Sequence, residues 1–199
     1  MRAAADRCLY DTANLSLLLA ALPGDALARP CGTSGTSGWT VGQTIAHLVG
    51  MVAADAEAIE RFVAGGTPPQ PTETADASWS AEDLAVAIPR ARNRMLAALE
   101  RVKFAHAARL YGERKLADTV LAWGEHSMEH ALDFTDAVPE LCDDPMVLNW
   151  VLWQTPGAAP GLVGRQARLY ERVKDRLMMQ TEEGSNRKRN LAKRLVKKR

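Results

Sequence analysis

The histidines are the residues of this sequence whose type and spacing most clearly indicate chemistry. The chain contains four, and two of them, His126 and His130, stand four positions apart. On an α-helix this spacing places the side chains about 40° apart around the axis and one turn apart along it, so both imidazoles can reach one divalent ion. Asp133 falls on the same face and can accept the second ring N–H of a ligand histidine. A solvated polar stripe and a pair of hydrogen-bonded interface histidines are the alternatives.

His47 adds a third imidazole from another helix. Its neighbours at 45–46 and 48–49 are apolar, and the other inward positions of its predicted helix are apolar too. A histidine buried in a bundle needs a polar partner, and the other clustered histidines are His126 and His130. Three imidazoles from two helices leave coordination positions open, which is typical of catalytic rather than structural zinc sites. A single core histidine with satisfied hydrogen bonds is the simpler alternative.

The same stretch also has the form H-x-x-E-H, the signature of inverted zinc peptidases, in which Glu129 would be the general base. Such enzymes need a further acidic ligand downstream and a larger α/β scaffold, whereas about 70 residues without strand signals follow His130. We therefore expect Glu129 to be a surface carboxylate, since it lies about 100° from His130 around the helix. His106 falls after the third predicted helix, and we expect a solvated loop residue there.

A helical scaffold must position these residues, and hydrophobic periodicity predicts one. Thr40-x-x-Gln43 and Ser80-x-x-Asp83 have the form of helix N-terminal caps, and Pro89 is expected to kink the third helix or to split off its first turns. The pattern predicts an all-α fold, a four-helix bundle with one or two additional short helices. The predicted helices cover residues 3–22, 40–63, 80–104, 116–137, 145–153 and 162–179.

Charge divides the chain into an acidic body and a basic tail. The formal net charge is +1, but residues 186–199 contain eight Lys or Arg and no acid, which leaves 17 basic against 24 acidic residues in 1–185. We expect residues 1–183 to form the bundle and residues 184–199 to be a disordered, flexible basic tail. The tail is a candidate to bind nucleic acid or an anionic surface, and the alternative is a solvated extension.

The cysteines and the hydropathy indicate a cytoplasmic protein. Cys8, Cys31 and Cys142 are widely spaced and form no C-x-x-C pair, so we expect no disulfide framework and no nucleophilic role. No apolar run approaches the roughly 20 residues that span a bilayer, so we expect no membrane span. The apolar run at 15–22 fits an amphipathic helix better than a signal peptide.

Two segments resemble the DinB/YfiT-like superfamily. Residues 38–48, GWTVGQTIAHL, are similar to the W-[ST]-V-x-[DEQ]-x-x-x-H-L motif that starts its second helix. His126-x-x-x-His130-x-x-Asp133 is similar to the ligand pair of its fourth helix, H-x-x-x-H or E-x-x-x-H, which x-x-D commonly follows. The resemblance covers roughly residues 1–180. It is closest to the mycothiol-dependent maleylpyruvate isomerase branch, which tends to have Glu where this chain has His126.

The resemblance implies a bundle that holds one divalent metal, usually zinc or nickel, through His47, His126 and His130. Characterised relatives use a low-molecular-weight thiol (mycothiol, bacillithiol or glutathione) in isomerisation, S-transfer or amide hydrolysis. We therefore expect a metal- and thiol-dependent transferase or isomerase. Its partners would be the thiol and a small-molecule electrophile, and a homodimer is compatible with such a bundle.

Two other classes of function stay open at this point. The first is a metal-binding bundle with no catalytic role, and the second is a nucleic-acid or anionic-surface binder that acts through residues 186–199. Trp39, Trp123 and Met128 are candidates to line the cavity, although Trp and Met at helical spacing are more often core residues.

Overall fold

The structure is a computed structural model that describes residues 1–32, 38–67, 79–116, 130–152, 164–165 and 167–174. Most of these residues are helical, which confirms the predicted all-α fold. The chain divides into two compact units, Met1–Ala158 and Ala159–Arg199. The second unit is described at 164–165 and 167–174, which are helical. The predicted basic tail, 184–199, lies outside the described residues.

Helices make up most of the first unit, and short ladders and 3-10 turns connect them. Helix α1 spans Arg2–Ala21, α2 Val41–Val63, α3 Ala81–Glu100 and α4 Phe104–Ala107; α5 is described over 130–137, and α6 spans Pro145–Leu152. Strands β1 (Pro30–Cys31) and β2 (Trp39–Thr40) form one antiparallel ladder, and β3 (Leu110–Tyr111) and β4 (Arg114–Lys115) form another. The 3-10 turns span Ala26–Ala28 and Pro139–Asp143.

Both predicted N-terminal caps are present and set the starts of α2 and α3. Thr40 Oγ1 accepts a hydrogen bond from the Gln43 amide at 3.2 Å, and Gln43 Oε1 accepts one from the Thr40 amide at 2.8 Å. At α3, Ser80 Oγ accepts from the Asp83 amide at 3.1 Å, and Asp83 Oδ2 accepts from the Ser80 amide at 3.0 Å. Each box satisfies two amides that the helix itself leaves without a partner.

The third helix continues through Pro89 and ends earlier than predicted. Of the two effects predicted for this proline, a kink or a split, the split is absent. Proline removes the hydrogen bond to the carbonyl of Ala85, and because Ala85 is exposed, water can replace that donor. The helix also ends at Glu100 rather than near 104, where the amides of Arg101 and Val102 bond to carbonyls three residues back and close the last turn.

The prediction for His106 is wrong. It is half-buried within α4, and its Nδ1 accepts a hydrogen bond from the Lys103 amide at 3.2 Å. A polar side chain at the third position of a helix can cap the residue before the first turn. The imidazole therefore stabilises the start of α4 rather than lying in a solvated loop.

The core is built where α1, α2 and α3 meet. Helix α2 packs against α3, and α1 packs against α3 and α6. Buried apolar side chains contribute about 1.5–3 kcal/mol each when fully removed from water. One cluster contains Ala4, Ala56, Ile59, Phe62, Met95, Ala98, Leu99 and Leu116. None of the described helices is both long and apolar enough to cross a membrane.

Two carboxyl groups are buried within this core, and the sequence analysis did not anticipate either. Asp55 of α2 is buried, and burial raises its pKa to about 7. Asp11 of α1 accepts a hydrogen bond from Arg7 Nε at 2.7 Å. Burial raises the pKa of Asp11, Arg7 opposes that rise, and the indole N–H of Trp150 lies close enough to lower the pKa as well. The pKa of Asp55 is raised by burial, with no cation acting against it.

Replacing Asp55 with Asn is expected to change how stability depends on pH. An unfolded Asp titrates near pH 3.9, so between about pH 4 and pH 7 the folded chain keeps a proton that the unfolded chain releases. In the wild type this carboxyl therefore costs stability progressively as the pH rises through that window, by up to about 4 kcal/mol above it. The free energy of unfolding of D55N minus that of the wild type should grow from pH 4 to pH 8 in urea titrations.

Glu57→Gln is the matched control, because Glu57 lies on the same helix but its carboxylate is partly exposed and pairs with Arg61. For E57Q we expect a difference from the wild type of about 1 kcal/mol or less. A D55N difference that stays flat across the window would contradict the raised pKa of Asp55.

Candidate metal centre

The chain that enters α2 is held firmly against the first turn of the helix. Cys31 pairs with Trp39 in the β1–β2 ladder, and the Val41 amide donates to the carbonyl of Arg29 at 3.0 Å. Gly42 allows this close approach, since a Cβ at this position would lie 3.2 Å from the carbonyl oxygen of Leu27. Trp39 is therefore fixed relative to the second turn of α2.

His47 lies on that second turn and is buried. Its ring contacts the indole of Trp39, with ring centroids 4.9 Å apart and an angle of 59° between the planes. The predicted role of Trp39 as a residue lining the site thus rests on an observed contact with a predicted ligand. The indole also covers part of the imidazole surface, which keeps water from that side.

His130 of α5 is buried and meets His47 across the interior. The two ring centroids are 5.4 Å apart, and the planes are nearly perpendicular at 79°. The residues are far apart in sequence, and the packing of α2 and α5 brings them together. The juxtaposition that the sequence suggested for these two histidines is present.

Asp133 orients the ring of His130. Its Oδ2 lies 3.2 Å from His130 Nδ1, and both side chains are buried. An ionised carboxylate can only accept hydrogen bonds, so with Asp133 ionised the ring proton would lie on Nδ1 and be donated to Asp133. In the neutral imidazole, Nε2 is then the nitrogen with a lone pair for a metal. The contact is compatible with the role predicted for Asp133, which stays a prediction.

The spacing of the two rings fits a shared metal ion. Two imidazoles that bind one Zn²⁺ tetrahedrally, through Zn–N bonds of about 2.0–2.1 Å, have ring centroids about 5 Å apart. The observed separation is 5.4 Å. Neutral imidazole suits zinc and nickel among the divalent ions, so the donor chemistry fits these metals as well.

The third predicted ligand, His126, lies outside the described residues, as do Trp123, Met128 and Glu129. Across the ranges that the structure describes, no group of three or more His, Cys, Asp or Glu side chains is arranged to hold a metal. The structure thus brings together two of the three predicted ligands and the carboxylate that orients one of them.

The cysteines do not offer an activated nucleophile. All three are thiols rather than disulfides, and Cys31 and Cys142 are buried. Burial, followed by the charge of Asp11, raises the pKa of Cys8 to about 11. A thiol with so high a pKa is almost entirely protonated at neutral pH and reacts slowly.

A cavity of about 660 Å³ lies between α2 and α3, away from the histidines. Its floor is mainly apolar, and Arg90, Arg94, Glu82 and Asp83 lie among its lining residues. Neither His47 nor His130 lines it. It is therefore separate from the candidate metal centre.

Comparison with known proteins places the region that contains these residues in one family. A sequence model of the DinB superfamily matches residues 10–133, more than half of the chain. The match includes His47 and His130 and ends at Asp133. No curated protein and no solved structure gave a significant match.

Replacing Asp133 with Asn is expected to weaken zinc binding by about 10- to 100-fold, because the carboxylate that fixes the tautomer of a ligand histidine is lost. Competition with a chromogenic chelator measures the affinity. Asp136→Asn is the control, since Asp136 is exposed on the same helix and should leave the affinity unchanged. Equal affinities for the two variants would remove Asp133 from the site.

Proposed function

The chain belongs to the DinB superfamily, and we propose that it is a metal- and thiol-dependent transferase or isomerase. In this proposal His47, His126 and His130 hold one divalent ion, zinc or nickel. The cosubstrate is a low-molecular-weight thiol, mycothiol or a similar compound, and the acceptor is a small electrophile. The observation that carries the proposal is the buried His47–His130 pair, with Asp133 on Nδ1 of His130.

The described residues supply a binding site rather than a nucleophile. In this proposal Asp133, 3.2 Å from Nδ1 of His130, holds the ring proton there, so that the lone pair of Nε2 faces the metal. Trp39 packs on His47 and limits the movement of its ring. Both histidines are buried, so electrostatic interactions in the site are screened less than at the surface.

A divalent ion held by three neutral imidazoles keeps its full charge and deprotonates a coordinating thiol at neutral pH. Burial raises the pKa of the Cys8 thiol to about 11, and the Cys31 and Cys142 thiols are buried. This supports an external thiol as the nucleophile. Neutral His126 where maleylpyruvate isomerases tend to have Glu favours S-transfer over that particular isomerisation.

A non-catalytic metal-binding bundle is the second candidate, because the same pair of histidines supports it. In that case the metal would stabilise the fold or be sensed, and no thiol would turn over. The two candidates agree on metal content and differ on thiol-dependent activity, so the experiments below separate them.

The purified chain is expected to contain one equivalent of zinc or nickel by elemental analysis. Replacing His126 with Ala removes one of three nitrogen ligands, so we expect at least a tenfold lower affinity and substoichiometric metal. His106→Ala is the control because His106 caps α4 instead. Thermal unfolding of the metal-free proteins shows whether both variants fold. Full metal retention in folded H126A would exclude this residue from the site.

Thiol transfer by the metal-loaded protein is expected to lose the pH dependence of the uncatalysed reaction. A free thiol of pKa about 8.5 is only a few per cent thiolate at pH 7, whereas a metal-bound thiol is deprotonated outright. The catalysed rate with mycothiol, bacillithiol or glutathione should therefore be nearly constant from about pH 6.5 to about pH 8, a window that lies below the pKa of the free thiol. Stoichiometric metal with no turnover for any thiol would favour the non-catalytic candidate.

A further inference from the structure

We propose that the connector, residues 101–115, is a contact surface for membranes that contain anionic phospholipid. This segment joins α3 to the helical residue 116 and includes α4 and the β3–β4 ladder. The inference rests on two apolar side chains that project into solvent and on the positive charge around them. It is independent of the metal centre.

Phe104 and Leu110 are the most exposed of the large apolar side chains that the structure describes. Phe104 is 91% exposed and Leu110 is 66% exposed. A surface phenylalanine normally keeps part of its ring against the protein, and here nearly the whole ring faces water. Isolated exposed apolar side chains are common, but here two at this degree of exposure lie within one short connector, six residues apart in the sequence.

The β3–β4 ladder fixes the direction of Leu110. Neighbouring residues of a strand point to opposite faces, and Tyr111 points inward, with its ring 5.6 Å from that of Phe62. Leu110 therefore points outward, together with its cross-strand partner Lys115. The Arg109 guanidinium lies over the same Phe62 ring that Tyr111 contacts, 4.6 Å from its centroid, so Arg109 contributes positive charge to the connector from the Tyr111 side.

The connector is one of the basic segments of an acidic body. It contains five Lys or Arg and one Glu, whereas the rest of residues 1–185 contain 12 Lys or Arg and 23 Asp or Glu. Arg101, Lys103 and Arg109 are exposed. Each Lys or Arg close to an anionic leaflet adds to the attraction, which falls off within about 8–10 Å at physiological salt. The charge thus concentrates where the apolar side chains project.

This combination fits a lipid surface better than nucleic acid. An aromatic ring can stack on a base, but Leu110 has no π face and would gain nothing from that contact. A fluid acyl layer accepts both side chains without a complementary groove, while the basic residues meet the headgroups. The histidines lie at the other end of α2, because His47 precedes Phe62 by 15 residues, or about 22 Å of helix. Docking through the connector therefore does not cover them.

Sedimentation of the full chain with vesicles tests the proposal. The wild type is expected to bind phosphatidylcholine vesicles that contain phosphatidylserine, to bind pure phosphatidylcholine vesicles weakly, and to dissociate at high salt. The double variant F104S/L110S should bind at least tenfold more weakly with an unchanged melting temperature, because both side chains are exposed.

The double variant V86S/M146S is the matched control, since Val86 and Met146 are also exposed, at 59% and 56%, but lie outside the connector. To separate the contribution of the basic tail to vesicle binding, the same comparison is made in full-length protein in which the eight Lys and Arg of 186–199 are replaced by Gln. The loss in F104S/L110S should persist there.

Several results would overturn the proposal. These are no binding of the wild type to anionic vesicles, equal binding of the two double variants, or loss of all binding when the tail alone is neutralised. A fourth result would assign the surface to nucleic acid instead. In that case single-stranded RNA binds the wild type and competes fully with the vesicles, while F104S/L110S binds the vesicles as well as the wild type does.

Discussion

The candidate site depends on the burial of two imidazoles against each other in an apolar helical bundle. A buried polar ring is costly unless its nitrogens have partners, and here Asp133 takes one nitrogen of His130. This constrains the packing of α2 and α5. A shift of one residue in α5 would rotate its side chains by about 100° and would remove both His130 and Asp133 from the interior. The chemistry of the site therefore requires one particular register of α5 against α2.

The segment before α2 also helps to position the site. The capping box of Thr40 and Gln43 sets the first residue of the helix, and the packing of Gly42 on Leu27 sets the path of the chain into it. Together they place Trp39 on the ring of His47. A residue that precedes a helix is usually free to vary in direction, and here the ladder with Cys31 removes that freedom. Backbone interactions thus hold the indole of Trp39 against the ring of His47.

Local signals in the sequence predicted much of this correctly. Both capping boxes, the boundaries of the predicted helices that are described at both ends (to within a few residues), and the juxtaposition of His47 and His130 follow from short-range spacing and from the cost of a lone buried histidine. The predictions that failed concern features that depend on tertiary contacts. A strand of two residues has no alternation to detect, so the ladders were missed. His106 was assigned to a loop because its capping role depends on one backbone amide, that of Lys103.

The burial of the carboxyl groups of Asp55 and Asp11 was also not predicted from the sequence. Asp55 stands three residues after Val52, four before Ile59 and seven before Phe62, which is the spacing of the inward stripe of α2. The pattern therefore contained the signal for its burial, but residue type outweighed position, since Asp is seldom buried without a partner. Asp11 carried the same kind of signal, since it stands four residues before Leu15 and seven before Leu18, both of which are buried.

The two ends of α2 present different surfaces to the surroundings, and this has a consequence for function. Near His47 the polar groups are enclosed, whereas beyond Phe62 the connector displays Phe104 and Leu110 to solvent. In the proposed reaction, small thiols and electrophiles would reach the histidines by diffusion, and a docking surface at the same end of the bundle would obstruct their entry. With about 22 Å of helix between the two, the proposed attachment through the connector would leave the proposed reaction at the histidines unobstructed. Such an arrangement suits an enzyme whose electrophile partitions into lipid, because the site would then work beside the phase that holds its substrate.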